Sequence, residues 1–156
     1  MSIRFFVLIA FVGLQISLFG QGRPIPTDPV KWTFSAKNVF EGEYDLYMVA
    51  SIDKSWCIYS QFMKGDDGPV PTSFSFTPED GFQPIGKTTE DGHRKEIDDP
   101  IFNMKVVKFE DNATFKQRVR VGKNQKFAKG FVTFMTCDGS VCLPPKDVPF
   151  AIELKK

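Results

Sequence analysis

Phe115-Lys116-Gln117-Arg118-Val119-Arg120-Val121 alternates without a fault. Phe115, Gln117, Val119 and Val121 fall on one side; Lys116, Arg118 and Arg120 fall on the other. Successive side chains of a strand leave it on opposite faces, so this pattern is that of a half-buried β-strand. Downstream, Gly122 to Gln125 reads as a turn. Phe127 to Thr136 carries apolar residues on both faces, as a central strand would. Phe150, Ile152 and Leu154 then alternate with Ala151, Glu153 and Lys155 in a final strand.

Between those last two strands lies Cys137-Asp138-Gly139-Ser140-Val141-Cys142-Leu143-Pro144-Pro145. Asp-Gly-Ser is turn-forming chemistry. The two prolines supply no backbone N–H, so strand pairing is expected to stop directly after Cys142. A turn of this length can bring two Cα atoms within the ~5–6 Å that a disulfide needs. Such a bond could be a structural staple or a working redox couple. On the residues alone both readings stand.

Upstream the chain is again a series of short runs broken by turn signals. Val30 to Val39 places Trp32, Phe34 and Ala36 on one face. Tyr44 to Ile52 does the same with Leu46, Met48 and Ala50, after a turn at Glu41-Gly42. Trp56 to Phe62 and Thr72 to Phe76 are further strands, with a loop at Lys64 to Pro71. Gln83 to Pro100 is polar and reads as irregular. Val106 to Phe109 resumes strand character, and Asp111-Asn112 is expected to turn it. No run of ten or more residues has helical periodicity. Seven or eight short strands predict an all-β, immunoglobulin-like β-sandwich over residues 30–156. The expected core includes Trp32, Phe34, Leu46, Met48, Val119, Phe131, Phe134, Phe150 and Ile152.

Met1 to Gly20 reads as a signal peptide. Arg4 supplies its positive region, Phe5 to Leu14 its apolar stretch and Gly20 a small residue for cleavage. The alternative is an uncleaved anchor. No cysteine lies near the cleavage point, which argues against a lipoprotein. Residues 21–29 follow as a flexible lead rich in Pro and Gly. Removing Arg4 with the signal leaves nineteen basic residues against nineteen acidic ones. With that balance and no basic stripe, nucleic acid is not an expected partner, and a monomer is expected. Export places the cysteines in an oxidising compartment, the periplasm, where Cys137 and Cys142 can pair.

Other chemistries are harder to build. His93 is the single histidine, in the charged stretch Asp91 to Lys95, and is expected to be solvated. Hydrolytic schemes would depend on it alone. Structural zinc needs four ligands, and the spacing of Cys57, His93, Cys137 and Cys142 does not bring them together. Neither a metal nor a cofactor is expected. Asn112-Ala113-Thr114 matches a glycosylation sequon but reads as a turn. The pairs Glu79-Asp80 and Asp98-Asp99 read as solvated surface. Cys57, inside an apolar run beside Trp56 and Ile58, is expected to be a buried, inert thiol.

The sequence resembles the amino-terminal periplasmic domain of the bacterial thiol:disulfide interchange protein DsbD. Three features carry the likeness: Cys137 to Pro145, the aromatic-rich strand Trp56-Cys57-Ile58-Tyr59-Ser60-Gln61, and the acidic-then-aromatic segment Asp98 to Phe102. Four residues lie between the cysteines here, one fewer than in the best-known members. The resemblance implies a redox relay with Cys142 as attacking thiolate and Cys137 as resolving thiol. Asp98, Asp99, Ile101 and Phe102 would form a cap loop over the pair. It implies thioredoxin-fold partners, with cytochrome c biogenesis among the processes served. Full-length family members continue into a membrane domain and a thioredoxin-like domain. For a chain ending at Lys156 a separate membrane electron donor is therefore expected. The competing expectation is a non-enzymatic exported β-sandwich, a binding or assembly module whose disulfide is structural.

Overall fold

The computed structural model describes residues 28–63, 68–79 and 81–155. The expected signal segment 1–20 and residues 21–27 of the lead lie outside them. The end of the lead, Asp28-Pro29, is docked: Asp28 pairs with Lys31 at 3.0 Å and Lys146 at 3.1 Å, and the Pro29 carbonyl accepts from the Asp53 amide.

The described residues are all-β. The strands are β1 (Val30–Phe40), β2 (Glu43–Ile52), β3 (Cys57–Tyr59), β4 (Ser73–Phe76), β5 (Gln83–Asp99), β6 (Met104–Arg120), β7 (Phe127–Cys137) and β8 (Cys142–Glu153). Every pairing is antiparallel. β1, β2, β6 and β5 form one layer, and β4, β7 and β8 the other. Short β3 joins them, since Ile58 pairs with Phe109 of β6 on one edge and with Thr136 of β7 on the other. The result is an immunoglobulin-like sandwich whose two layers curl into one hydrogen-bonded sheet.

Aromatic rings hold the layers together. Trp32 of β1 lies 5.5 Å from Phe134 of β7, Phe34 lies 5.1 Å from Phe150 of β8, and Phe74 of β4 lies 5.0 Å from Phe115 of β6. Each such pair adds about 0.5–1.5 kcal/mol to the burial of its apolar area. Leu46, Met48, Val119, Phe134, Phe150 and Ile152 are buried as expected, and Trp32 and Phe34 are half-buried.

Phe131 is not in the core; it is 40% exposed. It lies three positions before Phe134, an odd spacing, and a period of two sends the two rings to opposite faces. Ala128, Val132 and Phe134 take the core side.

The stretch 83–100, read as irregular, is instead the long strand β5. β6 supplies its partner along nearly the whole length, from Gln83↔Arg120 to Asp99↔Met104. A polar strand is stable here because pairing satisfies its backbone while its side chains stay largely exposed. Asp111-Asn112 does not reverse the chain either. Both are skipped in the β5 register, between Gly92↔Ala113 and His93↔Glu110, and Asp111 has a φ of 60°. The turn signal is absorbed as a bulge in one continuous strand.

The prolines also fail to stop β8. Thr136 pairs with Leu143 and Phe134 with Lys146, so Pro144 and Pro145 stand opposite Met135 alone. Proline is tolerated in a strand at such a bulge, where no ladder hydrogen bond is required of it.

Candidate thiol-disulfide site

β3 shows how the site is built. Its residues alternate between two cores. Trp56, just before it, and Ile58 enter the main core; Cys57 and Tyr59 enter a second, smaller one. This second cluster consists of Cys57, Tyr59, Val106 and Cys137. Packed against it are Met63, Ile97, Phe102, Met104, Met135 and Cys142. A strand apolar on both faces therefore marks a place where the sandwich has a core on either side.

The strand is fixed by its polar residues. Thr72 Oγ1 donates to the Tyr59 carbonyl at 2.6 Å, and Thr136 Oγ1 donates to the Cys57 carbonyl at 2.8 Å. Beyond it, Ser60 Oγ and the Gln61 amide both donate to the Glu90 carboxylate, at 2.5 and 3.0 Å. These bonds tie the Trp56 to Gln61 stretch to its neighbours, including β5.

Cys137 and Cys142 form a disulfide across the β7–β8 hairpin, with Cα atoms 4.1 Å apart. The turn holds them. The Asp138 carboxylate accepts from the amides of Ser140 and Val141 at 2.9 and 2.8 Å, and the Asp138 amide donates to the Val141 carbonyl at 3.0 Å. Gly139 takes a φ of 87°, a left-handed value that suits glycine. Because the 138–141 pair is hydrogen-bonded, the next pair inward is of the close, non-hydrogen-bonded kind, with Cα atoms ~4.5 Å apart. That pair is Cys137 and Cys142. The two sulfurs differ in access: Cys137 is 1% exposed, whereas Cys142 is only part-buried at the rim.

The segment expected as a cap loop is the tip of the long β5–β6 hairpin. Asp98 lies on its outside, 3.6 Å from Lys105. Asp99 is buried, and its Oδ1 accepts from the amides of Ile101 at 2.8 Å and Phe102 at 3.3 Å. Ile101 is exposed. Phe102 turns inward, packs on the second cluster and meets Tyr59 edge-on at 5.9 Å between ring centres. Phe102 and Cys142 thus rest on the same buried cluster.

Sequence reasoning missed the place of Cys57. It is buried, as expected, but it is the register partner of Cys137. Burial pushes its thiol pKa up, against smaller opposing effects of the Lys108 charge and the Cys137 amide. Burial likewise pushes up the Tyr59 phenol, whose hydroxyl is enclosed with no hydrogen-bond partner of good geometry. Strand pairing is a property of the fold, and nothing within Trp56 to Gln61 names its partner. His93 stands exposed on β5, with Nδ1 2.7 Å from Asp111 Oδ2. Among the described residues, no three His, Cys, Asp or Glu side chains are arranged to hold a metal ion.

With a disulfide hairpin beside an aromatic-tipped one, the arrangement can be set against known proteins. No family model and no curated protein matches the sequence. Solved structures do. The reduced amino-terminal domain of DsbD from Neisseria meningitidis aligns with a TM-score of 0.53 at 18% identity, over 71% of this chain and 78% of that one. The chain has the fold of the DsbD amino-terminal domain. The amino-terminal periplasmic domain of ScsB from Proteus mirabilis aligns with a TM-score of 0.57 at 14% identity, covering 84% of this chain. This chain spans about half the length of that ScsB domain, 49%. At these identities the likeness to DsbD and ScsB is one of architecture.

Proposed function

We propose that this DsbD-like chain is a periplasmic thiol-disulfide exchange protein that relays reducing equivalents through the Cys137/Cys142 couple. The observation that carries the reading is the asymmetry of the disulfide. One cysteine is enclosed and the other stands part-buried at the rim, and the aromatic tip of a separate hairpin packs on the same cluster. Exchange requires one accessible sulfur and one held close behind it.

In the reduced state the Cys142 thiolate attacks the disulfide of an oxidised thioredoxin-fold partner. An S–S bond forms between Cys142 and the partner, and one partner thiolate leaves. The Cys137 thiolate then attacks Cys142 Sγ and releases the second partner thiol. Two electrons have passed to the partner, and the Cys137–Cys142 disulfide is restored. A separate membrane donor reduces it again. Phe102 and Ile101, on a turn held by Asp99, cover the pair between encounters, and Asp98 sits on the outer side of that cap. Cytochrome c biogenesis is one process such a relay would feed.

Short loop closure also favours a working bond over a staple. For a loop of about six residues the chain-entropy relation gives only ~2 kcal/mol of stabilisation.

The test is trapping. Reduced Cys137→Ala, mixed with an oxidised thioredoxin-like protein, should accumulate a mixed disulfide on a non-reducing gel, and Cys142→Ala should not. Trapping through Cys137 would reverse the roles. Trapping through neither, with a potential for the parent bond below about −300 mV, would instead support a structural disulfide in a binding or assembly module.

A further inference from the structure

Three cysteines lie in one row across three strands. Cys57 of β3 is the register partner of Cys137 of β7, and Cys137 is the register partner of Cys142 of β8. Residues directly opposite in antiparallel strands project from the same face of the sheet. All three thiol groups therefore belong to one face, and all three are part of the second cluster or packed on it. Since Cys137 forms a non-hydrogen-bonded pair with Cys142, its own N–H and C=O point to the other edge, toward β3. Opposed residues there stand ~5.5 Å apart at Cα, inside the ~4.4–6.8 Å span of known disulfides.

We propose that Cys57 is a third exchange thiol, able to take over the bond to Cys137 and release Cys142 as a free thiol at the rim. Thiol-disulfide exchange proceeds by attack on one sulfur with departure of the other. A row running perpendicular to the strands places Cys57 on the far side of Cys137 from Cys142. The Cys57 thiol gives up its proton, and its sulfur bonds to Cys137 Sγ. The Cys137–Cys142 bond breaks, and Cys142 leaves as a thiolate that takes up a proton. One disulfide replaces another with no net change in oxidation.

A second observation points to the same sulfur. The Tyr59 hydroxyl is fully buried without a partner of good geometry, and Cys57 is the thiol beside it. A thiolate on Cys57 would turn this loose contact into a charge-assisted hydrogen bond, and Tyr59 would hold the charge during attack. The consequence is an oxidised form that keeps a reactive rim thiol. This inference does not rest on the relay, and its test uses no partner.

The experiment is disulfide mapping by mass spectrometry on the full folded chain. Cys142→Ser, reduced and then treated with diamide, should pass from two reactive thiols to none and yield a Cys57–Cys137 linked peptide. Cys137→Ser, treated in the same way, should yield no linked Cys57–Cys142 peptide, because those residues are two strands apart. Circular dichroism checks that each variant is folded. The oxidised parent protein supplies an independent measurement. Prolonged iodoacetamide treatment at mildly alkaline pH, well below its melting temperature, should place the label on Cys142 with Cys57 joined to Cys137. Tyr59→Phe should slow that labelling severalfold. Two persistent free thiols in folded Cys142→Ser would overturn the proposal. So would a parent protein labelled only at Cys57, or not at all, with Cys137–Cys142 intact.

Discussion

Phe102 sits where packing and access can be separated. Truncating a fully buried phenylalanine to alanine costs about 3–5 kcal/mol. Phe102 is only half-buried, so about half of that, ~2 kcal/mol, is at stake in Phe102→Ala. The edge-on contact with Tyr59 is part of this sum. If those contacts hold the hairpin tip over the cysteines, their loss shifts the closed-to-open equilibrium by the same amount, up to about thirtyfold at 1.4 kcal/mol per decade. The reduced pair should then react with a small aromatic disulfide about ten- to thirtyfold faster. The assay is stopped-flow absorbance under pseudo-first-order conditions, in a Cys57→Ala background so that only Cys137 and Cys142 titrate. Urea denaturation of the same variants gives the stability loss. A rate unchanged within about twofold, alongside a lower urea midpoint, would show that the ring is packing alone and that the tip does not gate the sulfurs.

Three further outcomes are expected. Asp99→Ala removes the acceptor shared by the Ile101 and Phe102 amides, and should both lower stability by about 1–2 kcal/mol and accelerate the same oxidation; acceleration by Phe102→Ala but not by Asp99→Ala would refute the role of this turn. Gly130→Ala would set its Cβ 2.1 Å from the Ser75 carbonyl oxygen and 2.8 Å from Phe150 Cζ, and should cost about 3 kcal/mol or more in urea unfolding, since the nearest atom is backbone and must shift with β4. Arg118, hydrogen-bonded to Asp45 from both Nε and Nη2, holds the Asp45 carboxyl below its usual value, so the pair stabilises the fold above the unfolded carboxylate pKa of ~4 and loses that effect as pH falls through the folded value. Asp45→Asn should therefore lower the urea midpoint at pH 7, and the gap should close as pH falls through the lowered folded value of Asp45; a gap independent of pH would show that the charge is not the cause.

Much of this protein is legible in the chain itself. Period-two runs such as Phe115 to Val121 identify strands because each residue's face is fixed by its parity, whatever the strand later pairs with. The Asp-Gly-Ser turn places two cysteines opposite each other from local chemistry alone, and the apolar Trp56 to Tyr59 run marks β3 as covered on both sides. Other features depended on partners distant in sequence. Gln83 to Asp99 has no apolar pattern of its own and is a strand because β6 satisfies its backbone. Asp111-Asn112 and Pro144-Pro145 are turn and stop signals, yet each became a bulge because neighbouring strands held the chain straight through it. The row Cys57, Cys137, Cys142 is of the same kind. Parity could say that Cys57 faces a buried layer. Only the pairing of β3 with the end of β7, a long-range hydrogen-bond register, decided that this layer contains the disulfide.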